Sequence, residues 1–182
     1  FCISCSGKGM LCYRRRQKKY RMMHSNDKSS EQIPDYIREH FHGNTVTGSR
    51  SPAGNWLQFT LEHTERGKVV IALDVRPEMT NPYQHIHGGM MSLVIDEAIG
   101  WAVVSLNTEN HYTTLNLNVD FLYAIREGER LRAIAEVIRS GKKIIHVECR
   151  VYNMEEQLLA KATSNLVVTG MRPTEGDAKI AY

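Results

Sequence analysis

The sequence predicts an α+β fold in which a curved antiparallel sheet wraps around one long central helix. Three observations carry this expectation: an early pair of strand signals, a single helical segment that is apolar nearly all round, and four further strand signals in succession. Strands and helices do not alternate, which argues against a parallel sheet. With 182 residues and 42% hydrophobic composition, the chain has material for one core. One domain is expected over residues 31–172, preceded by a basic, solvated extension over 1–30 and followed by a short tail over 173–182.

The elements follow in order. Ile33, Pro34, Tyr36, Ile37 and Phe41 read as a short amphipathic helix with proline in its first turn. Residues 43–54, rich in Gly, Ser and Thr, read as a loop, and residues 56–63 and 68–76 as two strands joined by a turn that ends at Gly67. In the second strand Val69, Ile71, Leu73 and Val75 alternate with Val70, Ala72, Asp74 and Arg76. A polar loop then leads through Gly88-Gly89 into the long helix, expected over 90–106, whose apolar residues leave no polar face and so place it at the centre of the fold. Residues 113–123 alternate as a half-buried strand, and strands over 130–139, 143–153 and 158–169 complete a four-strand meander. One helix cannot cover both faces of six strands, so an edge or the outer face is expected to pair with a second copy.

The formal charge of +3 is unevenly spread. Eight of the 23 Lys and Arg but only Asp27 of the 20 acidic residues lie within 1–30, leaving 15 basic and 19 acidic residues for the rest. A mildly acidic body gives no electrostatic reason to expect nucleic-acid binding. Cys2, Cys5 and Cys12 lie in the extension and Cys149 alone in the body, which fits a reducing compartment and a cytoplasmic location. No apolar run approaches the length of a membrane span, and residues 1–10 are too short and too broken for a signal peptide. Cys2, Cys5, Cys12 and His24 lack the second paired half of a zinc finger, and His85 with His87 lacks further ligands, so no metal is expected.

The chemistry concentrates between Asn81 and Asp96. Gly88 and Gly89 stand at the start of a buried helix, where unpaired N–H groups and the positive end of the dipole suit a carbonyl oxygen gaining negative charge. Asp96 is a carboxylate within an apolar helix, costly unless it has a partner or a task. It shares a stripe with Ser92 and Gly100, so a structural bond to Ser92 is the plain alternative; Glu97 is the second candidate carboxylate. Gly88 and Asp96 are eight residues apart, hence roughly 12 Å along the helix. One reacting carbonyl cannot touch both, so a site using both must draw them from two subunits whose helices run antiparallel.

The spacing Asn81, five residues, His87-Gly88-Gly89, six residues, Asp96, with the strand TTLNLNVDFLY over 113–123 and Ser140-Gly141-Lys142, resembles the phenylacetate-pathway (PaaI-like) hotdog-fold acyl-CoA thioesterases of the 4-hydroxybenzoyl-CoA thioesterase superfamily. The resemblance spans residues 45–170. It implies that the Gly88 N–H polarises a thioester carbonyl, that His87 orients the loop, that Asn81 positions water or substrate, and that Asp96 of a partner chain is general base or nucleophile. Thr114 matches a position that helps to hold the water. Gly89 and the turn carrying Arg139, Gly141, Lys142 and Lys143 match the region that meets coenzyme A, where basic side chains face phosphates. CoA enters as part of the substrate, with no separate cofactor, and the expected assembly is a dimer or a dimer of dimers. Pro82 and the basic extension depart from the pattern. A non-catalytic acyl-CoA sensor on the same fold is the alternative, and hydration or dehydration of acyl chains a further one.

Overall fold

The computed structural model describes residues 35–169 apart from 109. The extension over 1–30 and the tail over 173–182 lie outside the described residues. The elements are α1 (Asp35–His40), α2 (Pro52–Leu57), β1 (Thr60–Glu65), β2 (Lys68–Asp74), a 3-10 turn (Pro77–Met79), α3 (Gly88–Val104), β3 (Tyr112–Phe121), β4 (Arg130–Ser140), β5 (Ile144–Asn153) and β6 (Leu158–Val168). The six strands form one antiparallel sheet in the order β1-β2-β4-β5-β6-β3, with α3 packed on its concave face.

The core lies between α3 and the centre of the sheet. Val94, Ile95, Ala98, Ile99 and Ala102 of the helix are fully buried, as are Ile71, Leu131, Val147 and Val151 of the strands. Ala133 and Ala135 on β4 are also fully buried, and their short side chains let the helix backbone approach. At the far end of α3, Trp101 meets Phe41 and Phe59 edge-on, with ring centroids 5.2 and 5.9 Å away. The C-terminus of α3 is pinned to the β1–β2 turn: Gly67 N donates to Ser105 Oγ at 2.8 Å, and Gly67 takes the left-handed conformation (φ +77°) that the turn requires.

Four expectations need correction. Residues 52–57 are a helix rather than loop and strand: Ser51 caps it by accepting from Gly54 N at 3.0 Å, Pro52 opens it, and Gln58 closes it in the left-handed region. The predicted first strand therefore begins at Thr60 rather than at 56. The last four strands are not a meander, because β3 pairs with β6 and not β4. That puts β3 at the sheet edge, and the expected half-burial holds at Leu117 and Val119 but not toward the strand's ends: Leu115, at a bulge, is 62% exposed and Phe121 56%. Finally, α3 starts at Gly88 and ends at Val104, and it is not covered all round. Ser92, Leu93, Asp96 and Gly100 are only half-buried, and nothing lies within 4 Å of where a Gly100 side chain would begin.

Candidate active site

The head of α3 is organised by a tight turn. Asn81 Oδ1 accepts from Tyr83 N at 2.9 Å and His85 N at 3.3 Å, while Asn81 N donates to His85 O and Gln84 N to Asn81 O. Asn81, followed by Pro82, thus folds the loop with its carbonyl oxygen and keeps the Nδ2 hydrogens as donors for another molecule. His87 then caps the helix: its Nδ1 accepts from Gly89 N at 2.9 Å. This capping divides the two glycines. The Gly89 N–H is occupied, and a side chain on Gly89 would start 3.2 Å from His87 Nδ1; the Gly88 N–H has no acceptor among the described residues. A free amide at the positive end of a 17-residue helix is a ready donor for an oxyanion.

Gly88 lines a cleft of about 290 Å³ together with Asn81, Ile86, Met91, Phe121 and Leu122 among others. The Phe121 ring lies against Gly88, its Cζ 3.5 Å from the position a β-carbon would take. The sequence reading missed Phe121 and Leu122. Their signal was the apolar run 121–124, which breaks the strict alternation of the strand before it.

Asp96 lies eight residues further along α3, half-buried rather than enclosed. The alternative of a bond to Ser92 fails, because the Ser92 hydroxyl donates to Gly88 O at 2.9 Å. Thr114 Oγ1 instead donates to Asp96 Oδ1 at 3.0 Å, so β3 orients the carboxylate and leaves Oδ2 open. Glu97 turns elsewhere: Ser51 Oγ donates to its Oε1 at 2.5 Å, tying α2 to α3, and burial pushes its carboxyl above the usual range. Cys149 is buried in the core, its thiol pushed up to about 12 by burial, which makes it an inert nucleophile.

Arg139, Lys142 and Lys143 are exposed on the β4–β5 hairpin, and none is in an ion pair among the described residues. Gly141 permits this turn, since a side chain there would start 2.8 Å from Ile144 O. The register fixes where the hairpin stands. Thr114 pairs with Leu166, Leu166 with Ile145, and Ile145 with Ser140, one row across the sheet. Phe121, beside Gly88, is seven residues along β3 from Thr114, roughly 20 Å away at strand rise. The candidate residues of one chain therefore fall into two groups. Asn81, His87 and Gly88 stand at the head of the helix, Asp96 with Thr114 at its middle, and the basic hairpin on the row of the sheet that carries Thr114.

A curved antiparallel sheet around one long helix is the hotdog fold. The family profile of the thioesterase superfamily matches residues 83–160 of the chain. It is 27% identical over 133 residues to the medium/long-chain acyl-CoA thioesterase YigI of Escherichia coli, covering 64% of this chain and 85% of that one. Among solved structures, it superposes on a hypothetical thioesterase protein of Streptococcus pneumoniae bound to coenzyme A with a TM-score of 0.59 and 27% identity, over 63% of this chain and 88% of that one. The Escherichia coli PaaI protein of the phenylacetic acid degradation operon shares the fold, with a TM-score of 0.63 and 22% identity, over 68% of this chain and 88% of that one. Among the described residues no helix is long and apolar enough to cross a membrane, and no three His, Cys, Asp or Glu side chains gather as a metal-ligand set.

Proposed function

We propose that the protein hydrolyses acyl-CoA thioesters to a carboxylic acid and CoA, as a dimer whose two sites each combine the helix head of one subunit with the Asp96 half-site of the other. The observation that carries the reading is the free Gly88 N–H at an apolar cleft, left open because His87 engages Gly89 instead. The thioester carbonyl oxygen accepts from Gly88 N–H, with the Asn81 Nδ2 amide holding substrate or water beside it. Asp96 of the partner subunit, aimed by its own Thr114, removes a proton from water, which attacks the carbonyl carbon. The negative charge that forms on the oxygen is stabilised by the amide and the helix dipole. Collapse breaks the C–S bond and releases the CoA thiolate. Direct attack by the Asp96 carboxylate, through an anhydride that water then opens, uses the same two half-sites. Arg139, Lys142 and Lys143, in no ion pair among the described residues, lie in the Asp96 half, so a partner's hairpin supplies the cations for the CoA phosphates. The exposed edge of β3 supplies the dimer contact.

Release of free thiol from a panel of acyl-CoAs tests this reading. Asp96→Asn is expected to lower turnover by about a hundredfold or more while leaving the fold intact. Binding of acyl-CoA without thiol release would establish the sensor alternative instead, and undiminished turnover in Asp96→Asn would remove the carboxylate from the reaction.

A further inference from the structure

We propose that Phe121 selects the acyl group at its α-carbon, admitting straight chains and excluding those branched next to the thioester. This inference rests on the hydrolase reading above. The ring approaches Gly88 with its para end: Cζ lies 3.5 Å, and Cε2 and Cε1 3.7 and 3.9 Å, from where a glycine β-carbon would stand. A carbonyl oxygen bonded to the Gly88 amide must come within about 3 Å of that nitrogen. In this proposal the acyl α-carbon, one bond from the carbonyl carbon, occupies the space the ring borders and the thioester sulfur the opposite side. A methylene passes the ring tip, whereas a second substituent on the same carbon meets it.

The ring cannot withdraw with its backbone. Leu122 N and Tyr123 N both donate to Leu159 O, at 2.8 and 3.1 Å, and Ile86 N donates to Ile125 O at 2.9 Å, which laces the two walls of the cleft together. Only side-chain rotation remains, and that must clear Gly88 itself. In the single chain the ring is 56% exposed, on the strand assigned above to the dimer contact, so that chain's own core does not account for its placement. An aromatic held over a glycine, beside the free amide and within the cleft, is placed to act on what enters.

The test compares n-butyryl-CoA with isobutyryl-CoA, two isomers with the same number of carbons, so that their kcat/KM ratio reports shape rather than hydrophobicity. Wild type is expected to favour the straight chain. Phe121→Leu and Phe121→Ala are each expected to raise the isobutyryl to n-butyryl ratio by roughly tenfold or more, the scale on which an apolar pocket tells one methyl group from another. General damage to the fold or to the assembly would lower both rates and leave the ratio where it was. Phe121→Leu keeps an apolar residue at the sheet edge and so reads the ratio even if the alanine variant is unstable. A ratio unchanged in Phe121→Leu, or a wild type indifferent to branching, overturns the proposal while the hydrolase reading stands. Absence of thiol release from every acyl-CoA overturns both.

Discussion

Two inactive variants of this protein should repair each other. Within one chain Gly88 and Asp96 are separated by eight helical residues, about 12 Å, and the register of β3 sets Thr114 and the basic hairpin toward the end remote from Phe121. A thioester carbonyl resting on Gly88 is therefore out of reach of its own chain's Asp96. Asn81→Ala damages the helix-head half by removing the Nδ2 donor and the oxygen that binds Tyr83 N and His85 N; Asp96→Asn damages the other half. Each homodimer is expected to be nearly inactive. A mixed dimer carries both lesions in one site and neither in the second. Random exchange at equal concentrations makes half the dimers mixed, each with one of two sites intact, so thiol release should recover to about one quarter of wild type. Exchange is supplied by co-expression or brief partial denaturation and verified by mass spectrometry. No recovery with exchange verified would refute the two-subunit site and require both residues to act within one chain.

Thr114→Val removes the hydroxyl that orients Asp96 and is expected to lower kcat about tenfold, near the 1–1.5 kcal/mol of one hydrogen bond, with KM little changed and activity restored by Thr114→Ser. Gly54→Ala would place a β-carbon 2.6 Å from Glu97 Oε2; displacing that carboxyl should cost about 1–3 kcal/mol and lower the thermal midpoint by several degrees, and an unchanged melt would show that Glu97 moves freely. Burial raises the Glu97 pKa, so the fold favours its protonated form. That contribution is fully present below the ordinary glutamate value of 4.5 and is lost as pH rises through the raised one. Denaturant titrations across this window should therefore show wild type losing stability relative to Glu97→Gln, and parallel curves would contradict the assignment.

What the sequence made legible was what depends on local pattern. The apolar periodicity of α3, the alternation in β2, and the helix-head glycines are properties of short windows, and each element stands where its pattern put it within a few residues. Helix α2 was hidden by composition: Gly54 and the run of Ser and Pro before it signal a loop, and the deciding feature is the Ser51 cap, itself fixed by Glu97, 46 residues away. The place of β3 was hidden for a different reason. Alternation tells which residues share a face, but not which strand lies alongside, and β3 leaves its sequence neighbour β4 to pair with β6. The same non-local pairing brings Phe121 onto Gly88, so the cleft wall could not be read from either segment alone.

Asp96 and Glu97 are adjacent in sequence with the same functional group, and their surroundings assign them opposite tasks. Successive helical residues point about 100° apart, which sends Glu97 into the packed boundary with α2 and Asp96 onto the open stripe with Ser92 and Gly100. Glu97 accepts from Ser51, faces Gly54 at a distance that leaves no room for a methyl group, and titrates high because burial disfavours its charge. That carboxylate ties α2 to α3 through Ser51. Asp96 has one oxygen fixed by Thr114 and the other open, on a face of α3 that its own sheet leaves uncovered. In the proposed dimer, an antiparallel copy of α3 on that face would bring the Gly88 amide of one chain toward the Asp96 oxygen of the other, so one contact would both cover the exposed stripe and span the distance between them.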